Sequence, residues 1–344
     1  MRSVLIVLLA FITGVLLTLT IGGKPFQLAA TGAMVPTGGE VTTSSSGEPA
    51  PASSADDRTD VDAGNAWPAT GPSPEQVLYA QPRMVHDALA RLTPRVAGTP
   101  NLYVLAFAGD GGEDVFRNEV EYTSGLFAQR FGTTTHTVIL ENNPASLTTR
   151  PLASWSNLDA TLDGLAHVMH PEQDILLLYL TTHGDEEHNL LLDMEPLPLD
   201  QIGATDLAGI LDKYAFKWKV VVVNACYSGG FVPPLQGPGT LVLTSARTDR
   251  SSFGCGSASD ITYFGKAWLV DGLNRTADFI AAFQQASREI ATWERKDQLT
   301  ASEPQISVGP GIAAQLALWR QGITPGPAVP FKPAPPTAAR AVAQ

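Results

Sequence analysis

Five short apolar runs recur through the middle of the chain, at 102–108, 136–141, 174–181, 219–224 and 240–244. They are rich in Val, Leu and Ile and lack the strict polar alternation of a strand with one wet face, so they predict strands buried on both sides. Between them, apolar residues return at helical spacing, as Val115, Val120, Leu126 and Phe127 do. This spacing predicts helices over 113–131, 158–169, 204–214, 263–272 and 277–294, with further helices at 312–320 and, ahead of the first strand, at 74–92. Buried strands alternating with helices are the pattern of a mostly parallel sheet covered on both faces, so the expected fold class is α/β, a three-layer sandwich in one domain over 75–323.

The ends of the chain break this pattern. Residues 4–21 are almost wholly apolar, carry no charge and follow Arg2. Such a stretch comes close to spanning a bilayer core of about 30 Å. Residues 1–23 are therefore expected to be a transmembrane anchor or signal segment, with Leu28-Ala29-Ala30 only a tolerable cleavage site. Arg2 biases the amino terminus to the cytoplasmic side and Lys24 partly offsets it, so the remainder is expected in the periplasm or outside the cell. Residues 24–74, dominated from 38 onward by Ser, Thr, Pro, Gly, Ala and Asp, read as a disordered tether, and the Pro/Ala-rich 324–344 as a disordered tail.

Composition narrows the function. The 344 residues are 44% apolar and carry a formal charge of -12, which supplies a core and argues against nucleic acid as a partner. The two cysteines, Cys226 and Cys255, are too few for a disulfide framework. A free thiol outside the cytoplasm needs a reason to persist, and catalysis is one.

In open parallel sheets the chemistry gathers past the carboxyl ends of the strands. The third run leads into Thr182-His183-Gly184-Asp185 and the fourth into Asn224-Ala225-Cys226-Tyr227-Ser228-Gly229-Gly230. Taken singly, a free cysteine mostly fills space and a lone histidine is mostly structural. A histidine and a cysteine leaving successive strands make a dyad instead, His183 as general base and Cys226 as nucleophile. The Gly184 and Cys226 amides would hold the oxyanion, and Gly184, Gly229 and Gly230 would admit a peptide backbone. No third acidic residue is demanded. His183 and His188 stand five apart, which fits no zinc-helix motif, the pair His167 and His170 suits a helix terminus, and Gly109-Asp110-Gly111-Gly112 lacks the rest of a phosphate loop. No metal and no cofactor are expected.

Three ordered stretches, Thr182-His183-Gly184, Asn224 to Gly229, and Thr244-Ser245-Ala246-Arg247 leading to Ser251-Ser252-Phe253-Gly254-Cys255, resemble the C13 or legumain peptidases. That family shares the caspase-hemoglobinase fold with caspases and the glycosylphosphatidylinositol transamidase catalytic subunit, and the resemblance runs over 102–319. It implies His183 and Cys226 as the catalytic pair and Arg117 as a residue lining the pocket for the side chain before the cleaved bond. It implies Ser245 and Lys266 as further substrate contacts. Asn224 stands where legumain is acidic, which changes the pocket floor. Arg117 and Lys266 without a facing acid would favour Asp or Glu over Asn. Cys255 is expected to be a packed thiol outside the chemistry. The resulting expectation is a membrane-anchored cysteine endopeptidase acting on peptide or protein substrates through an acyl-enzyme. The same dyad would serve a transamidase or ligase, and the reading from another class is a non-catalytic, membrane-tethered scaffold.

Overall fold

The computed structural model describes residues 66–132 and 135–335. The expected anchor at 1–23 and most of the tether lie outside the described residues. Among the described residues no helix is long and apolar enough to cross a membrane.

The chain enters the domain through helix α1 (Pro74–Ala90), which Ser73 and Gln76 start with a reciprocal capping box and Pro74 opens. Strand β1 (Leu102–Ala108) follows and is buried along its whole length. Helix α2 (Asp114–Arg130), strand β2 (Thr135–Glu141), helix α3 (Trp155–Val168) and strand β3 (Ile175–Thr181) continue the alternation. After a small antiparallel pair, β4 (Asn189–Leu190) with β5 (Ile202–Gly203), come helix α4 (Ala204–Leu211) and strand β6 (Trp218–Asn224). A 3₁₀ turn (Ser228–Phe231) and the one-turn helix α5 (Val232–Leu235) lead to β7 (Thr240–Thr244). The remainder is a π-helical segment (Gly265–Gly272), helix α6 (Phe279–Lys296), strand β8 (Gln305–Val308) and helix α7 (Ile312–Gln321).

Among the described residues the main sheet has six strands in the order β2-β1-β3-β6-β7-β8, all parallel except β8. Strand periodicity sends Val104, Ala106, Tyr179 and Val222 to one face, under α2, the π-helical segment, α6 and α7. Leu105, Phe107, Leu178 and Val221 face the other way, under α1, α3 and α4. Truncating one such side chain, as in Leu178→Ala, costs about 2–5 kcal/mol. The chain passes from β1 to β2 on one side and reaches β3 on the other, so the loops after β1 and β3 diverge and leave a crevice at their carboxyl ends.

The small pair β4 and β5, the 3₁₀ turn and α5 are too short to have left a periodic signal, and two further segments differ from the sequence reading. Strand β8 has no counterpart in it, because a four-residue edge strand that alternates half-buried and exposed positions carries little apolar signal. Residues 324–335, expected as part of a disordered tail, are docked along α2. Val329 trades hydrogen bonds with Asn274 and accepts one from the Tyr122 hydroxyl at 2.8 Å, while Gly326 and Arg130 exchange two at 2.6 Å. Phe331 meets Tyr122 edge-on with ring centres 5.4 Å apart, so this stretch buries aromatic surface that composition alone does not reveal.

Candidate active site

Strands β3 and β6 pair in parallel with Thr181 opposite Asn224, so His183 and Cys226 each stand two residues beyond the same rung. Backbone contact keeps them close. A Cβ on Gly184 would lie 2.3 Å from the Cys226 carbonyl oxygen, so only glycine fits there. Gly184 bridges to Leu190 through the amides of Leu191 and Asp185, which leaves its own amide out of that ladder.

Beneath the pair lies Glu119 of α2, fully buried. It accepts from the Tyr179 hydroxyl and Thr181 Oγ1 at 2.7 Å, from Asn224 Nδ2 at 2.8 Å, and from the Thr262 amide and hydroxyl at 2.9 and 2.6 Å. One carboxylate thereby ties the last rung of β3 to that of β6, just below the histidine and the cysteine. A Cβ on Gly265 would strike Glu119 Oε1, so the π-helical segment must begin with a glycine.

The cysteine sits on a bent chain. Tyr227 has φ 55, a left-handed conformation that costs a bulky L-residue about 1 kcal/mol or more. The bend is held by the Tyr227 amide on the Arg250 carbonyl at 2.7 Å, and by His188 Nδ1 and the Gly230 amide donating to the Tyr227 carbonyl at 3.1 and 3.2 Å. Cys226 Sγ accepts from the Ser252 amide at 3.3 Å and lies 3.6 and 3.7 Å from the Ser252 carbonyl and hydroxyl oxygens. Both cysteines are free. A hydrogen bond from the Cys255 thiol, with Ser252 and the His183 charge behind it, holds Cys226 down to about 5 against the opposing effect of burial. The same contact pushes Cys255 up.

His183 meets carboxylates that the sequence reading did not include. Its Nε2 donates to Glu113 Oε2 at 2.8 Å and lies 3.4 Å from Asp110 Oδ2, while the Phe116 ring stands edge-on at 5.1 Å. Burial works against a charged ring, but the Glu113 hydrogen bond and the charges of Glu113, Asp110 and Cys226 outweigh it and raise the imidazole. Burial lifts Asp110 to about 6, partly countered by the Gly112 amide and His183. Ligand atoms of Asp110, Glu113 and His183 lie within 4.8 Å of one another, so among the described residues these three side chains have the reach to share a cation.

Of the other expected contacts, Asn224, Ser245 and Lys266 are engaged with partners of their own, and Arg117 stands near the start of α2. Asn224, alternating onto the same face as Val222, is buried against Glu119 and Thr262 and supports the site from below. Ser245 is buried behind the cysteine, donating to the Ala225 carbonyl and accepting from the Ala225 amide. Lys266 turns outward because Gly265 before it faces Glu119; its ammonium pairs with Asp271 at 2.6 Å and lies over the Trp293 ring. Arg117 leaves α2 one turn after Glu113, donates through Nη1 to the Pro335 carbonyl at 3.1 Å, and has Glu141 Oε1 3.7 Å from Nε. Arg117 is thus faced by an acid, which the sequence reading left out, and burial raises that acid to about 7. Gly229 and Gly230 are packed against the Thr248 amide and the His188 ring, so their small size serves this chain's own turn. Asp110 and Glu113 had one sequence signal: they flank Gly111-Gly112 directly after an apolar run.

Residues 156–314 match the Peptidase C13 family. The chain carries a Peptidase C13 domain and is a cysteine-type peptidase. The match takes in His183, Cys226, Ser245, Cys255 and Lys266, and leaves β1 and α2, with Asp110, Glu113 and Arg117, outside it. No curated protein matches the chain.

Proposed function

We propose that this cysteine peptidase is an endopeptidase with Cys226 as nucleophile and His183 as its acid and base. The observation that carries the reading is the shared rung of β3 and β6, with the Gly184 backbone seated against the Cys226 carbonyl. The Cys226 sulfur attacks the scissile carbonyl carbon, and the Gly184 and Cys226 amides receive the oxyanion. His183 passes a proton to the departing amine, leaving a thioester on Cys226. A water then gives its proton to His183, attacks the thioester and frees the new carboxyl terminus with the thiol restored.

Arg117 supports a preference for a side chain with an acceptor oxygen before the cleaved bond, since its guanidinium already holds a carbonyl. With Glu141 beside it and Lys266 turned away, an Asn or Asp side chain suits it better than a pocket of unrelieved positive charge would. Cleavage of matched Asn, Asp and Ala peptides tests this, and equal rates for all three would reject it. The apolar, uncharged stretch at 4–21 is the basis for placing the enzyme on a membrane with its catalytic domain outside the cytoplasm; recovery of the full chain in the soluble fraction would count against it.

The test of the dyad is an electrophilic peptide that alkylates Cys226, located by mass spectrometry. Labelling is expected in the wild type, is lost in Cys226→Ala and slows in His183→Ala at unchanged thermal midpoint. A wild-type protein that neither labels nor cleaves overturns the proposal.

A further inference from the structure

We infer that Glu113 is a positioning residue of this site, its carboxylate holding the His183 ring by Nε2 so that Nδ1 is the nitrogen presented to Cys226. The inference rests on the dyad proposed above and adds a third member to it.

The position of Glu113 in the chain makes it unusual. It is the residue before the first turn of α2, in an extended conformation with φ -129 and ψ 143. Short side chains are favoured there because they fold back onto the helix amides. Glu113 makes no such bond to its own helix. Its longer side chain reaches out to His183 Nε2 at 2.8 Å. Phe116, less than one turn later on the same helix, sets its ring edge-on to the imidazole at 5.1 Å. The start of α2 therefore fixes both the direction and the tilt of the histidine ring.

An imidazole has two nitrogens, and the hydrogen bond made by one decides what the other can do. A carboxylate accepting from Nε2–H leaves the Nδ1 lone pair for the thiol proton. When the Cys226 proton moves to Nδ1, the Nε2 proton stays where it is and the new positive charge faces Glu113. The bond is only partly screened, as the Glu113 side chain is 16% exposed and that of His183 33%. Asp110 stands behind it, 3.4 Å from the same nitrogen and tied to the Gly112 amide at 2.8 Å. The titratable groups facing His183 are thus Glu113 and Asp110 from the β1–α2 connection and Cys226 from beyond β6, with Asp193 acting on Asp110 and Cys255 on Cys226.

The experiment compares Glu113→Gln, Glu113→Ala and Glu113→Asp in the full chain, reading kcat, KM, the pH profile and the thermal midpoint. The expected result is a fall in kcat of about 10- to 100-fold in Glu113→Gln with KM nearly unchanged. The alkaline limb, where His183 loses its proton, moves to lower pH because the facing charge is gone, and Glu113→Asp recovers part of both effects. In a His183→Ala background Glu113→Gln changes nothing further. Wild-type kcat in Glu113→Gln overturns the inference, and so does a loss of kcat with the limb unmoved. A wild type inert toward both peptide and electrophile sinks the dyad and the inference together, whereas an active enzyme indifferent to Glu113 sinks the inference alone.

Discussion

Glu113 and Glu119 leave the same end of α2 less than two helical turns apart, yet they do opposite work. Glu119 is sealed in the core, and five donors from β3, β6 and the segment before the π-helix use up its oxygens. Such a group welds neighbours together and has no capacity left for a reacting partner. Glu113 stands at the rim, spends its hydrogen bond on one titratable ring and shares that ring with Asp110. Burial alone therefore does not mark a working carboxylate; unsaturated bonding to another ionisable group does.

The sharpest way to test the contrast is to remove the saturated member. Glu119→Ala leaves a set of buried donors without an acceptor, and its expected cost is on the order of 3 kcal/mol or more, a fall in thermal midpoint of roughly 6–12 °C. Calorimetry checks it, and an unshifted midpoint would remove Glu119 from its structural role. Asp110 is predicted to behave in the reverse sense. Burial pushes its carboxyl up to about 6 in the folded protein from an ordinary 3.8, so the stability it lends is complete below about pH 4 and is lost as the pH rises through about 6. Asp110→Asn should accordingly raise stability at pH 7 by about 3 kcal/mol, with the gain vanishing near pH 4. Denaturant melts at the two pH values measure this, and a gain that is the same at both would contradict it.

Smaller effects probe the nucleophile and the outlying cation. Cys255→Ala removes the donor that does most to hold Cys226 near about 5. The midpoint of Cys226 alkylation against pH should rise by about one unit, the equivalent of one hydrogen bond to a charged group. Lys266→Ala should leave kcat/KM within about twofold, because a surface pair with Asp271 contributes little. A tenfold loss on acidic substrates would return Lys266 to the pocket.

Much of this was legible in the residues. The five apolar runs correspond to β1, β2, β3, β6 and β7 within a residue or two, because strands buried on both faces leave an unbroken hydrophobic signature. His183 and Cys226 stood out because each directly follows such a run. Side-chain direction was not legible. Whether Asn224 and Lys266 face a substrate depends on strand phase and on how Gly265 docks over Glu119, and these are set by contacts more than thirty residues away in sequence. The carboxylates at 110 and 113 were hidden for the same reason, since β1 and β3 become neighbours only when the sheet forms.

The docked stretch at 324–335 has a practical bearing on how the enzyme is produced. A recombinant fragment stopped at 323 would strip Val329 and Phe331 from Tyr122 and leave the Arg130 guanidinium short of the Gly326 carbonyl. Such a fragment would carry a raw apolar seam along α2, prone to self-association, and would take the Pro335 carbonyl from Arg117, the arginine proposed to read the substrate. Poor yield or altered selectivity from that shortened version would then reflect a missing wall, with the catalytic groups themselves intact.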